Sequence, residues 1–310
     1  MTLSVKHILS ARDLTKKDVD LILQNARALK EISYRPIKKV PTLRGKQVLL
    51  CFFEDSTRTR LSFDIAAKRL SADTAVITKS GSSMAKGETI LDTIKNLAAM
   101  QADIIVIRHK EAGVPWEVAK AFPQISVINA GDGMHEHPTQ ALLDLMTIQD
   151  AKGGVAGLNV TIAGDIFHSR VARSNMILLK KMGAKVHVCA PKTFLPADID
   201  KYGVAVHTRL ENAVKASDVL MMLRIQMERQ DGFFFPSARE YSKYFGLTRE
   251  IMKFAKRDLV IMHPGPVNRG LEIEPEIADG GQSVILDQVE NGVAVRMALL
   301  YLLCGGKEHE

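Results

Sequence analysis

QVLLCFFEDSTRTRLSFDIAAKRLSADTAVIT, residues 47–78, decides the fold. It opens on an apolar run at Gln47–Phe53, crosses a polar turn, becomes a helical pattern near Leu61 and returns to an apolar run at Thr74–Thr78. Strand, helix and strand within ~30 residues read as one right-handed βαβ unit with parallel strands. The alternation continues, with strand-like runs at Asp103–Arg108, Ser126–Ala130, Asn159–Gly164, Lys185–Ala190, Asp218–Leu223 and Leu259–His263. Helical stretches with apolar residues at 3–4 spacing lie between them, among them Thr89–Gln101 and Val171–Met182. The abundance of Val and Ile in the strand runs fits strands covered on both faces.

Eight strands divide into two sets of four around residues 138–157, where a helical pattern ends in the glycine-rich AKGGVAG and the alternation restarts. The expected fold is α/β, with two similar domains, each a parallel sheet flanked by helices, and a cleft between them. Ser283–Leu303 reads as a final long helix that packs back on a domain. The 310 residues suffice for two such cores. No apolar run approaches the ~20 residues that span a bilayer, and the first residues lack a secretory signal, so a cytoplasmic chain is expected.

Cys51, Cys189 and Cys304 are odd in number and far apart, with no CxxC pair, which implies neither a disulfide framework nor zinc. They read as small buried hydrophobes. A net charge of +7 raises the question of nucleic acid, but Lys and Arg are dispersed and aromatics reach only 5%, poor supply for base stacking. The excess of cations suits small anionic substrates instead.

In doubly wound sheets ligands bind beyond the carboxyl ends of the strands, and the unusual residues of this chain stand there. After the first strand come Ser56, Thr57, Arg58, Thr59 and Arg60, leading into a helix. Amide groups at a helix start, three hydroxyls and planar guanidinium forks make a phosphate cradle. A cap alone accounts for one of those hydroxyls. Arg108 ends the third strand, and the fourth leads through NAGDGMHEHPTQ, residues 129–140, to His137 at the start of a helix opened by Pro138. A neutral imidazole there can donate to a carbonyl oxygen. His135 and His137 in one loop, with no third ligand at suitable spacing, do not make a metal site.

In the second half Gly164-Asp-Ile-Phe-His-Ser-Arg170 holds only the first glycine of a dinucleotide fingerprint, leaving an arginine at a helix start. Arg224 and Gln226 follow a later strand. HPGPVNRG, residues 263–270, ends the last strand in a stiff turn whose prolines lack N–H groups, with carbonyls suited to a ligand ammonium or amide. Residues 79–89, with Ser82 and Lys86, form a polar glycine-punctuated loop.

In order along the chain, STRTR (56–60), HPTQ (137–140) and HPGPVNRG (263–270) resemble the aspartate/ornithine carbamoyltransferase family, and within it the aspartate branch. The resemblance covers nearly the whole chain. It implies a carbamoyl-phosphate-binding domain at 1–138, with helix 290–310 packing back on it, an aspartate-binding domain at 139–289, and an active site in the cleft. By that likeness Ser56, Thr57, Arg58, Thr59, Arg108, His137 and Gln140 match residues that bind carbamoyl phosphate, and Arg58, Thr59, His137 and Lys86 the catalytic set. Arg170, Arg224 and Gln226, with Lys86, match residues that hold aspartate. Pro264 and Gly265 match the turn that meets the substrate nitrogens, where many relatives carry leucine in place of Gly265.

Ser82 and Lys86 match a loop that reaches into a neighbouring subunit, implying a homotrimer with shared active sites. Glu54 and Glu228 resemble, more weakly, residues of domain-closing or interloop contacts. The implied reaction converts carbamoyl phosphate and L-aspartate to N-carbamoyl-L-aspartate and phosphate, an early step of pyrimidine biosynthesis, without cofactor or metal. A dihydroorotase or a regulatory chain is an implied possible partner. The alternatives are another acceptor such as ornithine, or a non-catalytic scaffold. Arg224 favours aspartate, because its second carboxylate needs a cation that ornithine's ammonium would oppose.

Overall fold

The computed structural model describes residues 2–78, 87–226 and 237–304. The chain divides into two compact units, Met1–Leu143 with Glu290–Glu310, and Asp144–Val289.

The first unit begins with α1 (Lys16–Lys30), which opens on a capping box: Asp18 N–H donates to Thr15 Oγ1 at 3.1 Å and Thr15 N–H donates to Asp18 Oδ2 at 2.9 Å. Then follow β1 (Gln47–Phe52), α2 (Thr57–Arg69), β2 (Asp73–Thr78), α3 (Ile90–Ala98), β3 (Ile104–His109), α4 (Val114–Ala121), β4 (Ser126–Asp132) and α5 (Pro138–Lys152), within which the first unit ends. All strand pairs are parallel, in the order β2-β1-β3-β4, with Val48 registered against both Thr74 and Ile104. The helix α2 forms because Thr59, Phe63, Ala66 and Ala67 recur at helical spacing and are buried.

The second unit continues with β5 (Asn159–Ala163), α6 (Arg170–Lys181), β6 (Lys185–Cys189), β7 (Ala205–His207), α7 (Leu210–Ala216), β8 (Val219–Met222), α8 (Ala238–Phe245), α9 (Arg249–Met252), β9 (Val260–Met262) and α10 (Pro275–Ala278). Its parallel sheet runs β7-β6-β5-β8-β9. The final helix, α11 (Ile285–Cys304), belongs to the first unit from Glu290 onward. There Arg296 donates to Ser62 Oγ at 2.8 Å and covers the Phe63 ring at 5.1 Å, while Lys30 Nζ donates to Asn291 Oδ1 at 2.8 Å.

Among the described residues the sheets therefore hold four and five strands, one more than the eight apolar runs. The addition is β7, three edge residues whose first two side chains are exposed, so no apolar run marks it. Each sheet buries a thiol on an interior strand, Cys51 on β1 and Cys189 on β6, and burial pushes both up to about 12. No helix among the described residues is long and apolar enough to cross a membrane.

Candidate active site

The order of each sheet locates its switch point. In the first sheet β1 is followed on one side by β2, and the chain then crosses to β3 on the other side. In the second, β5 is flanked by β6 and then by β8 in the same way. Just past the carboxyl ends at such a switch, loops part and ligands enter. Most of the described residues singled out in the sequence stand at these two places.

At the first switch, β1 runs into α2 with Ser56 as N-cap in extended backbone, its side chain making no capping bond. The helix begins at Thr57, four residues before the apolar pattern, so Thr57, Arg58 and Thr59 are its first turn. That turn holds no acidic residue, although the positive end of the helix favours one. Thr59 is buried, whereas Thr57 and Arg58 are exposed. The partner strand closes up alongside, Phe53 N–H donating to the Arg108 carbonyl at 2.9 Å.

Arg108 is half-buried at the end of β3. Its Nη2 donates to Glu54 Oε1 at 2.8 Å and its Nη1 to the Ala130 carbonyl at 3.2 Å, which fixes the plane of the fork. Glu54 thus forms an ion pair with Arg108 within this unit. From the next strand, β4, the chain reaches His137, whose carbonyl accepts from Gln140 N–H at 3.0 Å as α5 begins. His137 and Gln140 are buried, and His137 Nδ1 lies 3.4 Å from Thr139 Oγ1.

The loop between β4 and α5 is held by acids that the sequence did not mark out. Glu136 is 1% exposed and accepts from the Ser10 hydroxyl and, at 2.8 Å, from Ala11 N–H. Asp132 accepts from Asn129 Nδ2 at 2.9 Å, Gly113 N–H at 2.9 Å and Glu136 N–H at 3.1 Å. Buried carboxylates satisfied by several donors make a stiff frame. His135 turns to Asp132 at 3.1 Å and packs edge-on to Trp116. Among the described residues no three His, Cys, Asp or Glu side chains gather in a way that could hold a metal ion.

At the second switch, Gly164 follows β5 at φ +132°, and a Cβ there would lie 2.8 Å from the Leu223 carbonyl oxygen. Only glycine lets β5 and β8 end so close together. Arg170 is buried at the first position of α6, which Ser169 caps by accepting from Ala172 N–H at 3.1 Å. Asp165 accepts from the backbone N–H of Gln226 at 3.4 Å and contacts His168 Nδ1 at 2.8 and 3.0 Å. One carboxylate so ties the loop carrying Arg170 to the segment carrying Arg224 and Gln226, both half-buried. Pro264 and Gly265 follow β9, the neighbour of β8, with Gly265 at φ +67°. The departure noted at this turn therefore puts glycine where a side chain is disfavoured.

Ser82, Lys86 and Glu228 lie outside the described residues.

The aspartate/ornithine carbamoyltransferase profile for the carbamoyl-P binding domain matches residues 6–150, and that for the Asp/Orn binding domain matches residues 156–303. The aspartate carbamoyltransferase catalytic subunit of Syntrophotalea carbinolica is 58% identical over 310 residues, covering 100% of this chain and 99% of its own. The aspartate transcarbamoylase of Trypanosoma cruzi, solved with N-(phosphonacetyl)-L-aspartic acid, is similar with a TM-score of 0.85 at 30% identity over 96% of each chain. The ornithine carbamoyltransferase of Pyrococcus furiosus is similar with 0.87 at 30% identity, over 99% of this chain and 100% of its own. Both branches share the backbone, so the acceptor is decided by side chains.

Proposed function

The chain belongs to the aspartate/ornithine carbamoyltransferase family, and from that premise we propose that it transfers the carbamoyl group of carbamoyl phosphate to the α-amine of L-aspartate. The observation that carries the reading is the pair of cationic switch points, one built on a helix start without acids and one on arginines. Ser56, Thr57, Arg58 and Thr59 bind the phosphate, and Arg108, His137 and Gln140 complete the carbamoyl phosphate site. Arg170, Arg224 and Gln226 hold the two carboxylates of aspartate, joined by Lys86. The Pro264 and Gly265 carbonyls meet the substrate nitrogens.

The neutral amine attacks the carbamoyl carbon, forming the N–C bond through a tetrahedral intermediate. The C–O bond to phosphate then breaks, and the departing phosphate takes a proton from the amine. Negative charge grows on the carbonyl oxygen and the leaving group, where Arg58, Thr59, Arg108 and His137 donate. Loss of one such donor typically costs about 3–4 kcal/mol. Holding two substrates in line supplies roughly 7–11 kcal/mol more. No side-chain nucleophile is needed.

The product feeds pyrimidine biosynthesis in the cytoplasm, a setting that the unpaired thiols support. The relatives' designation as catalytic subunits supports assembly with further chains, regulatory or dihydroorotase. A homotrimer with shared sites draws support from apolar side chains left exposed on the first unit: Leu61 at 48%, Ile65 at 41% and, on the edge strand before Ser82, Val76 at 49%.

Phosphate release from carbamoyl phosphate with aspartate, with ornithine and with no acceptor tests the reaction. Release that depends on aspartate is expected, and activity with ornithine alone would overturn the reading. Sharing is tested by mixing Arg58→Ala with Lys86→Ala subunits, each of which should be severely impaired alone. In a random trimer about a quarter of the sites receive both native residues, so activity should reappear on mixing. A mixture as silent as its parents would dismiss shared sites.

A further inference from the structure

We propose that His263 and Glu272 are positioning residues that aim the Pro264 carbonyl at the substrate, an inference that rests on placing the Pro264–Gly265 turn in the site. Both side chains are fully buried, His263 at 1% and Glu272 at 0% exposure. Gly265 N–H donates to His263 Nδ1 at 2.9 Å. That nitrogen therefore bears no hydrogen, and the neutral ring carries its only proton on Nε2. The Nε2 lies 3.2 Å from Glu272 Oε1, where the proton is donated. The same oxygen accepts from Asn268 N–H at 2.6 Å. The tautomer follows from the two partners together.

The consequence lies in the peptide plane. The Pro264–Gly265 bond is trans, so its C=O points opposite to its N–H. Drawing the Gly265 N–H inward to His263 turns the Pro264 carbonyl outward. Pro264 and Pro266 have no N–H to offer, and those of Gly265 and Asn268 are both drawn inward, so the turn is gripped near each end. Behind it, His263 N–H donates to Gln288 Oε1 at 2.9 Å, and Gln288 Nε2 donates to Asp144 Oδ1 at 2.8 Å. Asn175 Nδ2 donates to the other oxygen of Asp144 at 2.8 Å. His263 is thus anchored through backbone and ring.

Glu272 Oε2 is buried without a hydrogen-bond partner among the described residues. A carboxylate kept in the interior with one oxygen unsatisfied is costly to stability, which suits a group retained for alignment.

The two ring nitrogens can be tested separately, because an asparagine carboxamide reaches the Nδ1 position and a glutamine carboxamide the Nε2 position. His263→Asn keeps an acceptor for Gly265 N–H, so kcat should stay within about threefold of the native value. It deprives Glu272 of its ring donor and leaves it only the Asn268 N–H among the described residues, so its thermal midpoint should fall. His263→Gln keeps a partner for Glu272 and loses the turn, so kcat should drop about 30-fold or more with little loss of thermal midpoint. Activity and stability then move in opposite order, which a merely structural histidine would not produce. Equal kcat in the two variants, or kcat falling in step with the midpoint, overturns the aiming role.

Gly265→Ala, strained at its positive φ, disturbs the turn directly and separates the turn's place in the site from the control of the turn by His263. Impaired kcat there, beside indistinguishable His263 variants, leaves the turn in the site and removes His263 from its control. Native kcat there removes the turn from the site, and the inference with it. Nitrogen-15 spectra of the native protein need no variant: a protonated Nδ1 on His263 would overturn the proposal, and an unprotonated one is expected.

Discussion

Arg58→Ala should lower kcat by about two to three orders of magnitude while the KM for both substrates shifts only a few-fold. Arg58 is exposed in the first turn of α2, at the carboxyl end of a strand that borders the switch point. The amides of that turn already offer partial positive charge to a bound phosphate, so ground-state binding does not depend on one side chain. What the guanidinium adds is charge at the place where negative charge grows as the C–O bond breaks. An interaction made mainly in the transition state lowers kcat and kcat/KM together when removed. Steady-state kinetics on the purified variant measure both. A near-native kcat would end the catalytic role of Arg58, and a large rise in KM alone would reduce it to a binding residue. Arg58→Lys, which keeps the charge and loses the planar fork, should fall between.

Arg224→Ala should raise the KM for aspartate about 10- to 100-fold with a smaller change in kcat. Charge-assisted hydrogen bonds contribute about 1.5–3 kcal/mol each, and a carboxylate remote from the reacting amine is held alike before and during the reaction. Arg224 stands just past β8, and its segment is tethered to the Arg170 loop through Asp165. Removing its side chain should leave that backbone tether in place. The KM for carbamoyl phosphate should stay native, which separates a lost contact from general damage. An unchanged KM for aspartate would count against Arg224 as the acceptor's cation and reopen the question of which amine is carbamoylated.

Much of this architecture was legible because parallel strands covered on both faces are continuous apolar runs, as in Val48–Phe52 and Ile104–Ile107. β7 escaped because an exposed edge needs no such run. Apolar periodicity starts only near Leu61 whereas α2 begins at Thr57, since a first turn made for an anion carries polar side chains that periodicity cannot see. The chemical types at the site were readable one by one: hydroxyls, arginines, a histidine before a proline. Their supports were not. Glu54 meets Arg108 and Glu136 meets Ser10 across 54 and 126 residues, and no local pattern encodes such a pairing. Asp165–His168 and His263–Glu272 are close in sequence, yet only their burial distinguishes them from ordinary loop residues.

The buried thiols give each half of the chain its own clock. Cys51 and Cys189 lie on interior strands of different sheets, and their high proton affinity keeps them unreactive while those sheets are closed. A thiol reagent can modify either one only when its own unit opens. Labelling followed residue by residue then reads two opening rates from one unmodified protein, and any ligand that slows one rate alone has identified the unit on which it rests.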